Sequence, residues 1–554
     1  MKKFAMLVTF GVAALTGFSA VGQNVVQPTS PTGIDHAMLF KSFVQDARYC
    51  TVSAAANGQL VWPSQVSDPA ATCPDAFAWT QYLGAIKQEF WNWGIDQTIW
   101  PSNPWPICSG NNGPNCCPAD ILGNPGPTPN EHCPYNRAAF DPVPPLPLHP
   151  NGVPSGVLIS HRGAHKKTFV EDLDPGRVLR RVEVEIVFRN PAMVEGIFKN
   201  DLYTREGLGA RTRAANAAMG QGDIGRAQAL EVRLKTDATM VKADFIHQDV
   251  MLGLGLIRQL DAGGVPNDPD YPYLTVFMTG AKIKLIDGSE YDPSGYYYMV
   301  AMTNSSKALP TWHWYAMEHV KNRGRCDYIG CNDSFGFAVN KVQANGATYT
   351  GHFVPPQQQL QNDVSAAGPA FNANDAIFLN GRIYAPDAYG EKITDPLDAL
   401  FEAMGVATDR VDQDPKVISI TDPQWRNYRL KGTQTAFTTS QGVPTGMGAT
   451  VTEGGFVNSA SCLTCHSQAS TDQNGAPGFG GSVGGTYQLN LFGFGQTARG
   501  APDPDWFFYP GGQAPYAAVQ TDFMWGVLNA SCVKPGPQPG GPCASYPDAP
   551  TILD

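Results

Sequence analysis

Cys462, Leu463, Thr464, Cys465 and His466 form a C-x-x-C-H run. Two thiols three residues apart suit addition to the two vinyl groups of one haem, and the adjacent imidazole suits the iron as axial ligand. The run therefore predicts one covalent haem c, bound through Cys462 and Cys465, with His466 on the iron. A zinc knuckle needs two further Cys or His ligands close by, and between Cys465 and Cys532 His466 is the only such residue. A thioredoxin-like pair needs a strand–helix setting, whereas this run lies among Gly, Ser and Asn.

The other iron face separates an electron carrier from an enzyme: a sulfur or imidazole there saturates the iron, and an open face admits a ligand. Met524 is the first candidate sixth ligand and Met447 the second, with ordinary core packing beside Phe523 and Trp525 as the alternative for Met524. Thr311 to His319 gathers Trp312, His313, Trp314, Tyr315, Glu318 and His319. Read as a helix, it puts Trp312, Tyr315, Ala316 and His319 on one face. His319 would then move protons with Glu318 beside it, and Trp312 would carry an oxidising equivalent. The competing reading is an aromatic core element whose histidines satisfy backbone groups. Three functions follow. One is a redox enzyme with an accessible iron face, acting on peroxide, oxygen or an organic substrate. The second is an electron-transfer cytochrome with a saturated iron, and the third a haem-based ligand-binding or sensor module.

These residues need elements to hold them. The spacing of Trp79, Leu83, Ile86, Phe90 and Trp93 predicts one helix over Ala76 to Trp100, ended by Pro101. Pro101 to Ser155 is dense in Pro, Gly, Asn and Cys and predicts a disulfide-stapled surface excursion, with a binding lid as the alternative. Alternation over Arg180 to Phe188 predicts a half-buried strand, after which Asn190 and Pro191 open a helix to about Leu202. Further strands are expected within Leu230–Ile246, Leu274–Leu285 and Tyr296–Thr303, and less regularly within Gly346–Phe353 and Phe371–Tyr384. Helices are expected over Thr394–Met404, Thr421–Leu430 and Ser459–Gln468, with Thr521-Asp522 capping a last one over Phe523–Asn529. The class is α+β: a β-rich body with peripheral helices and a cytochrome-c-like haem-bearing C-terminal segment. Its divisions are a signal peptide (1–22), a helical, disulfide- and Pro-rich region (23–155), the β-rich body (156–430) and the haem segment (431–554).

Met1-Lys2-Lys3, the apolar stretch Phe4–Phe18 and the small residues before Gln23 read as a secretory signal. Haem c attachment outside the cytoplasmic membrane fits that reading, so a periplasmic or secreted protein is expected, with no transmembrane segment in the mature chain. The ten remaining cysteines are even in number and predict disulfides. Cys326/Cys331, Cys532/Cys543 and Cys50/Cys73 are the nearest pairs, while Cys108, Cys116, Cys117 and Cys133 leave their connectivity open. A formal charge of −11, or −13 without Lys2 and Lys3, repels nucleic acid. The partner expected is a periplasmic redox partner or a small-molecule substrate.

At these residues the chain resembles a group of large exported bacterial proteins described as cytochrome c family proteins. The shared layout is an early aromatic helix ending in Trp100-Pro101, a central Trp-x-Trp-x-x-x-Glu-His (Trp312, Trp314, Glu318, His319), one late C-x-x-C-H, and a final helix led by Asp522-Phe523. His313 and the Ala316-Met317 pair depart from that layout. The resemblance spans most of the mature chain; it implies haem and export and supplies no substrate.

Overall fold

Alternating residues in the middle of the chain build one seven-stranded antiparallel sheet. The computed structural model describes, short gaps apart, residues 50–148, 179–257, 273–322, 395–406, 418–454, 460–476 and 516–553, with the backbone of four short strands between 331 and 354. The stretch read as a signal peptide, the strand expected over Phe371–Tyr384 and the Cys326/Cys331 pairing lie outside the described residues. The strands are β1 (Gly94–Ile95), β2 (Glu183–Arg189), β3 (Thr239–His247), β4 (Thr275–Met278), β5 (Gly295–Ser306), β6 (His313–His319) and β7 (Tyr428–Gln434). Their order is β7-β6-β5-β3-β2-β1, with β4 also paired to β5. The chain is thus a mixed α and β protein.

Because successive side chains of a strand point to opposite faces, the register divides these residues sharply. One face carries Val184, Ile186, Phe188, Val241, Ala243, Phe245, Tyr315 and Met317 into a large core. Helix α1 (Pro74–Lys87) covers it with Trp79, Tyr82, Leu83 and Ile86, and helix α4 (Asp395–Ala403) adds Leu397, Leu400 and Phe401. Each such side chain contributes about 1.5–3 kcal/mol on burial. The other face carries Glu183, Glu185, Arg189, Lys242, Asp244, Trp314 and Glu318, and faces the C-terminal residues.

The aromatic helix expected over Ala76–Trp100 ends at Lys87. Glu89 takes a left-handed conformation (φ 51°), Phe90–Asn92 forms a 3-10 turn, and Gly94–Ile95 joins the sheet against Arg189 and Phe188. The reason is packing: Phe90 meets Phe188 edge-on while Trp91 stacks on Trp425 at 5.6 Å, and a continued helix could not turn both rings inward. Asn190 caps helix α2 (Pro191–Lys199) as expected, its side chain accepting from the Met193 N–H at 3.0 Å. Helix α3 (Arg205–Gly220), capped by Thr204, was not expected, because its Gly and Ala content gives little periodic contrast. Thr421–Leu430 is not a helix: Pro423–Asn427 forms a 3-10 turn and β7 follows. The border expected at 430 therefore falls inside an edge strand, which binds the C-terminal residues to the body.

Four disulfides occur among the described residues: Cys50–Cys73, Cys532–Cys543, Cys108–Cys116 and Cys117–Cys133. The last two settle the connectivity that spacing left open. Among the described residues no helix is long and apolar enough to cross a membrane.

His313 is fully buried on the α1 side, donating from Nε2 to the Pro74 carbonyl at 2.9 Å and meeting Phe77 edge-on. Burial pushes its pKa down to about 4, outweighing the hydrogen bond. Between that value and the unfolded value near 6.5, the unfolded chain binds a proton that the folded chain refuses. Stability from this residue is therefore complete above pH 6.5 and lost as pH falls toward 4. His313→Gln will reduce the slope of unfolding free energy against pH in that window by about 1.4 kcal/mol per unit. Urea unfolding at a series of pH values measures it, and an unchanged slope would refute the assignment.

Candidate functional site

The C-x-x-C-H run folds as a short helix, α5 (Cys462–Ser467), because Ser461 caps it: its hydroxyl accepts from the Thr464 N–H at 3.1 Å. Gln434 at the end of β7 clamps the same turn. It accepts from the Leu463 N–H at 3.1 Å and donates to the Ser461 hydroxyl at 2.8 Å. The helix is thereby fixed to the sheet edge before any cofactor is considered.

Cys462 and Cys465 are free thiols. Burial pushes the Cys462 thiol well above its ordinary value and the Cys465 thiol up to about 11, so both stay protonated near neutral pH. That is the reverse of a redox-active pair, whose attacking thiol is held low. His466 places Nδ1 2.9 Å from the Phe523 carbonyl, so Nδ1–H donates and the Nε2 lone pair is left for a metal. Desolvation, then the positive charges of Lys242 and Arg189, push its pKa down to about 3 against that hydrogen bond, so the ring is neutral. Two thiols and an oriented neutral imidazole border one cavity of about 300 Å³. This donor set fits the needs of a thioether-linked haem: two sulfurs for the vinyl groups and one imidazole nitrogen for the iron.

A chain of contacts orients His466. Phe523 and Asp522 both adopt left-handed backbone (φ 66° and 50°), which turns the Phe523 carbonyl toward the ring. Asp522 is held there by the Trp312 indole N–H at 3.1 Å, the Leu234 N–H at 2.7 Å and the Lys307 ammonium. Asp522 is thus an anchor and not the helix cap expected from sequence; a 3-10 turn over Trp525–Asn529 replaces the last helix. Gly526 passes so close to Trp100 and Arg189 that an added Cβ would collide with both, which is why no side chain is tolerated at that point. The Trp314 ring walls His466 on the sheet side, with centroids 4.4 Å apart.

The remaining cavity wall is polar and charged. Lys242 pairs with Glu185 at 2.7 Å; burial opposes its charge, yet Glu185, Asp244 and Glu453 together hold its pKa above the usual lysine value. Arg189 binds Asp96 at 2.6 Å and lies over the Trp100 ring. Burial pushes the Glu453 carboxyl up to about 7, with Lys242 and Arg180 pulling the other way.

The Thr311–His319 stretch corrects the helical expectation. It is β6, so Trp312 and His319 do not share a face. Trp312, Trp314 and Ala316 lie in the cluster that holds Cys462 and Leu463, whereas His319 stacks on Tyr273 at 3.9 Å and meets Tyr428 edge-on, across the sheet from His466. His319 is therefore not placed to move protons at the cavity. Glu318 is on the cavity face of the strand but accepts from the Thr450 N–H and borders no part of the cavity. Met524 and Met447 are fully buried in the apolar cluster and do not line the cavity either. Met240, on β3, does. Lys242, Arg189, Glu185 and Met240 were missed by sequence reasoning because nothing local marks them; only the odd–even alternation within β2 and β3 carried a signal. No family model, curated protein or solved structure matches this chain.

Proposed function

We propose that this chain is an exported c-type haem protein with one haem held by Cys462, Cys465 and His466. Its accessible iron face would serve redox chemistry with a small molecule, or with a periplasmic redox partner. The observation that carries this reading is the convergence of two free thiols and the Phe523-oriented His466 on one cavity. Haem would supply one-electron and ligand-binding chemistry there. The chain's own residues orient the imidazole through Phe523, wall it with Trp314, and present Lys242 and Arg189 to anionic groups entering the cavity. Among the described residues, Thr303, Ser305 and Asn529 add hydrogen-bonding groups to the same wall.

One observation favours an electron carrier instead: Met240 lines the cavity, so a thioether is at hand for the sixth position. The purified full-length protein decides both points. Acid–acetone extraction is expected to leave haem on the polypeptide, and the resting ferric spectrum to contain a high-spin component that cyanide converts. Release of all haem on extraction ends the c-type reading. A fully low-spin spectrum indifferent to cyanide, and turned high-spin by Met240→Leu, replaces the accessible face with a saturated carrier.

A further inference from the structure

The register of β2 and β3 sets Glu185 directly opposite Asp244 and Glu183 opposite Ile246, so the three carboxyl groups rise from one face of the sheet. One oxygen from each lies within 4.8 Å of the others. Asp244 is completely buried; its Oδ2 accepts from the Thr452 hydroxyl at 2.8 Å, while its Oδ1 has no hydrogen-bond partner. Glu183 Oε2 is likewise buried without one. Lys242 neutralises Glu185 across 2.7 Å but leaves both of those oxygens bare. A buried carboxylate oxygen without a donor is costly and calls for a ligand that the protein's own side chains do not supply.

We propose that Glu183, Glu185 and Asp244 form a binding site for one calcium ion. The donors are all hard oxygens, without the nitrogen or sulfur that zinc takes. Two oxygens on opposite sides of a calcium ion stand about 5 Å apart, twice the ~2.3–2.6 Å bond length, and the carboxylate separations fall within that span. Glu185 is part-exposed, which leaves an entry path and room for water ligands that complete the shell. A second cluster, Glu206 with Cys532 and Cys543, is not comparable: its sulfurs form a disulfide and its carboxylate accepts from the Val533 and Lys534 N–H groups. The calcium site stands independently of the haem assignment, although Glu185 also borders the haem cavity.

The full mature chain, treated with EDTA and desalted, tests this by calorimetric titration with calcium chloride and by thermal melting. One calcium per chain is expected, with a Kd of roughly 10⁻⁵–10⁻³ M and a melting temperature that rises with calcium but not with equimolar magnesium. Glu185→Gln sits at a part-exposed position and keeps the fold; it should weaken calcium about tenfold or more. Asp244→Asn should remove the calcium-dependent rise in melting temperature, and Glu183→Gln replaces it as the second variant if Asp244→Asn does not fold. Absence of both heat and melting shift up to millimolar calcium overturns the site, as does calcium binding of equal strength in the wild type and in Glu185→Gln.

Discussion

Replacing both Cys462 and Cys465 with alanine will yield a folded chain without covalent haem. On the proposed haem assignment each thiol would form one thioether, and the two border the same cavity beside His466. No other free thiol occurs among the described residues to substitute for them. The clamp on α5 does not involve sulfur: Ser461 and Gln434 hold its first turn through hydroxyl, amide and backbone groups. Truncating two small side chains in this cluster costs about 1–2 kcal/mol in all, a fraction of a domain's stability. Circular dichroism and denaturant midpoint should therefore stay near wild type while haem recovered on the denatured polypeptide falls to background. His466→Ala should behave differently, retaining the thioether links but losing the axial nitrogen, so haem stays on the chain with an altered spectrum. Covalent haem persisting in the double variant would show that these cysteines are not the attachment point.

Trp314→Ala is expected to cost about 3–5 kcal/mol of stability, the range for a buried indole reduced to a methyl group. The ring is 2% exposed, lies 4.4 Å from His466 and 6.3 Å from Phe523, and donates from its indole N–H to the Thr311 carbonyl at 3.1 Å. Trp425→Ala provides the comparison. Its ring is fully buried on the other sheet face, stacked on Trp91, and should cost a similar amount. Urea unfolding reads both losses as shifts in midpoint. On the proposed haem assignment, only Trp314→Ala should change the haem spectrum and its cyanide affinity, because of the two rings only Trp314 packs against the His466 imidazole. Equal spectral change in both variants would mean that general loosening, and not the contact with His466, governs the site.

The parts of this protein that local sequence determined are those set by neighbours a few residues apart. Asn190-Pro191 caps its helix as read, and Cys532/Cys543 and Cys50/Cys73 pair because the loops between them are short. The alternating stretch at Glu183–Arg189 became a strand for the same reason. Tertiary structure decided the rest. Whether Thr311–His319 was helix or strand depended on the edges of β5 and β7 offering hydrogen bonds on both sides, and that choice put Trp314 against His466 and turned His319 away. The break after Lys87 depended on aromatic partners as distant as Trp425. Lys242, Arg189, Glu185 and Asp244 meet around the cavity only because β2 and β3 pair in one register. A slip of one residue between the strands would have turned one strand's pair, Glu185 and Arg189 or Lys242 and Asp244, into the apolar core.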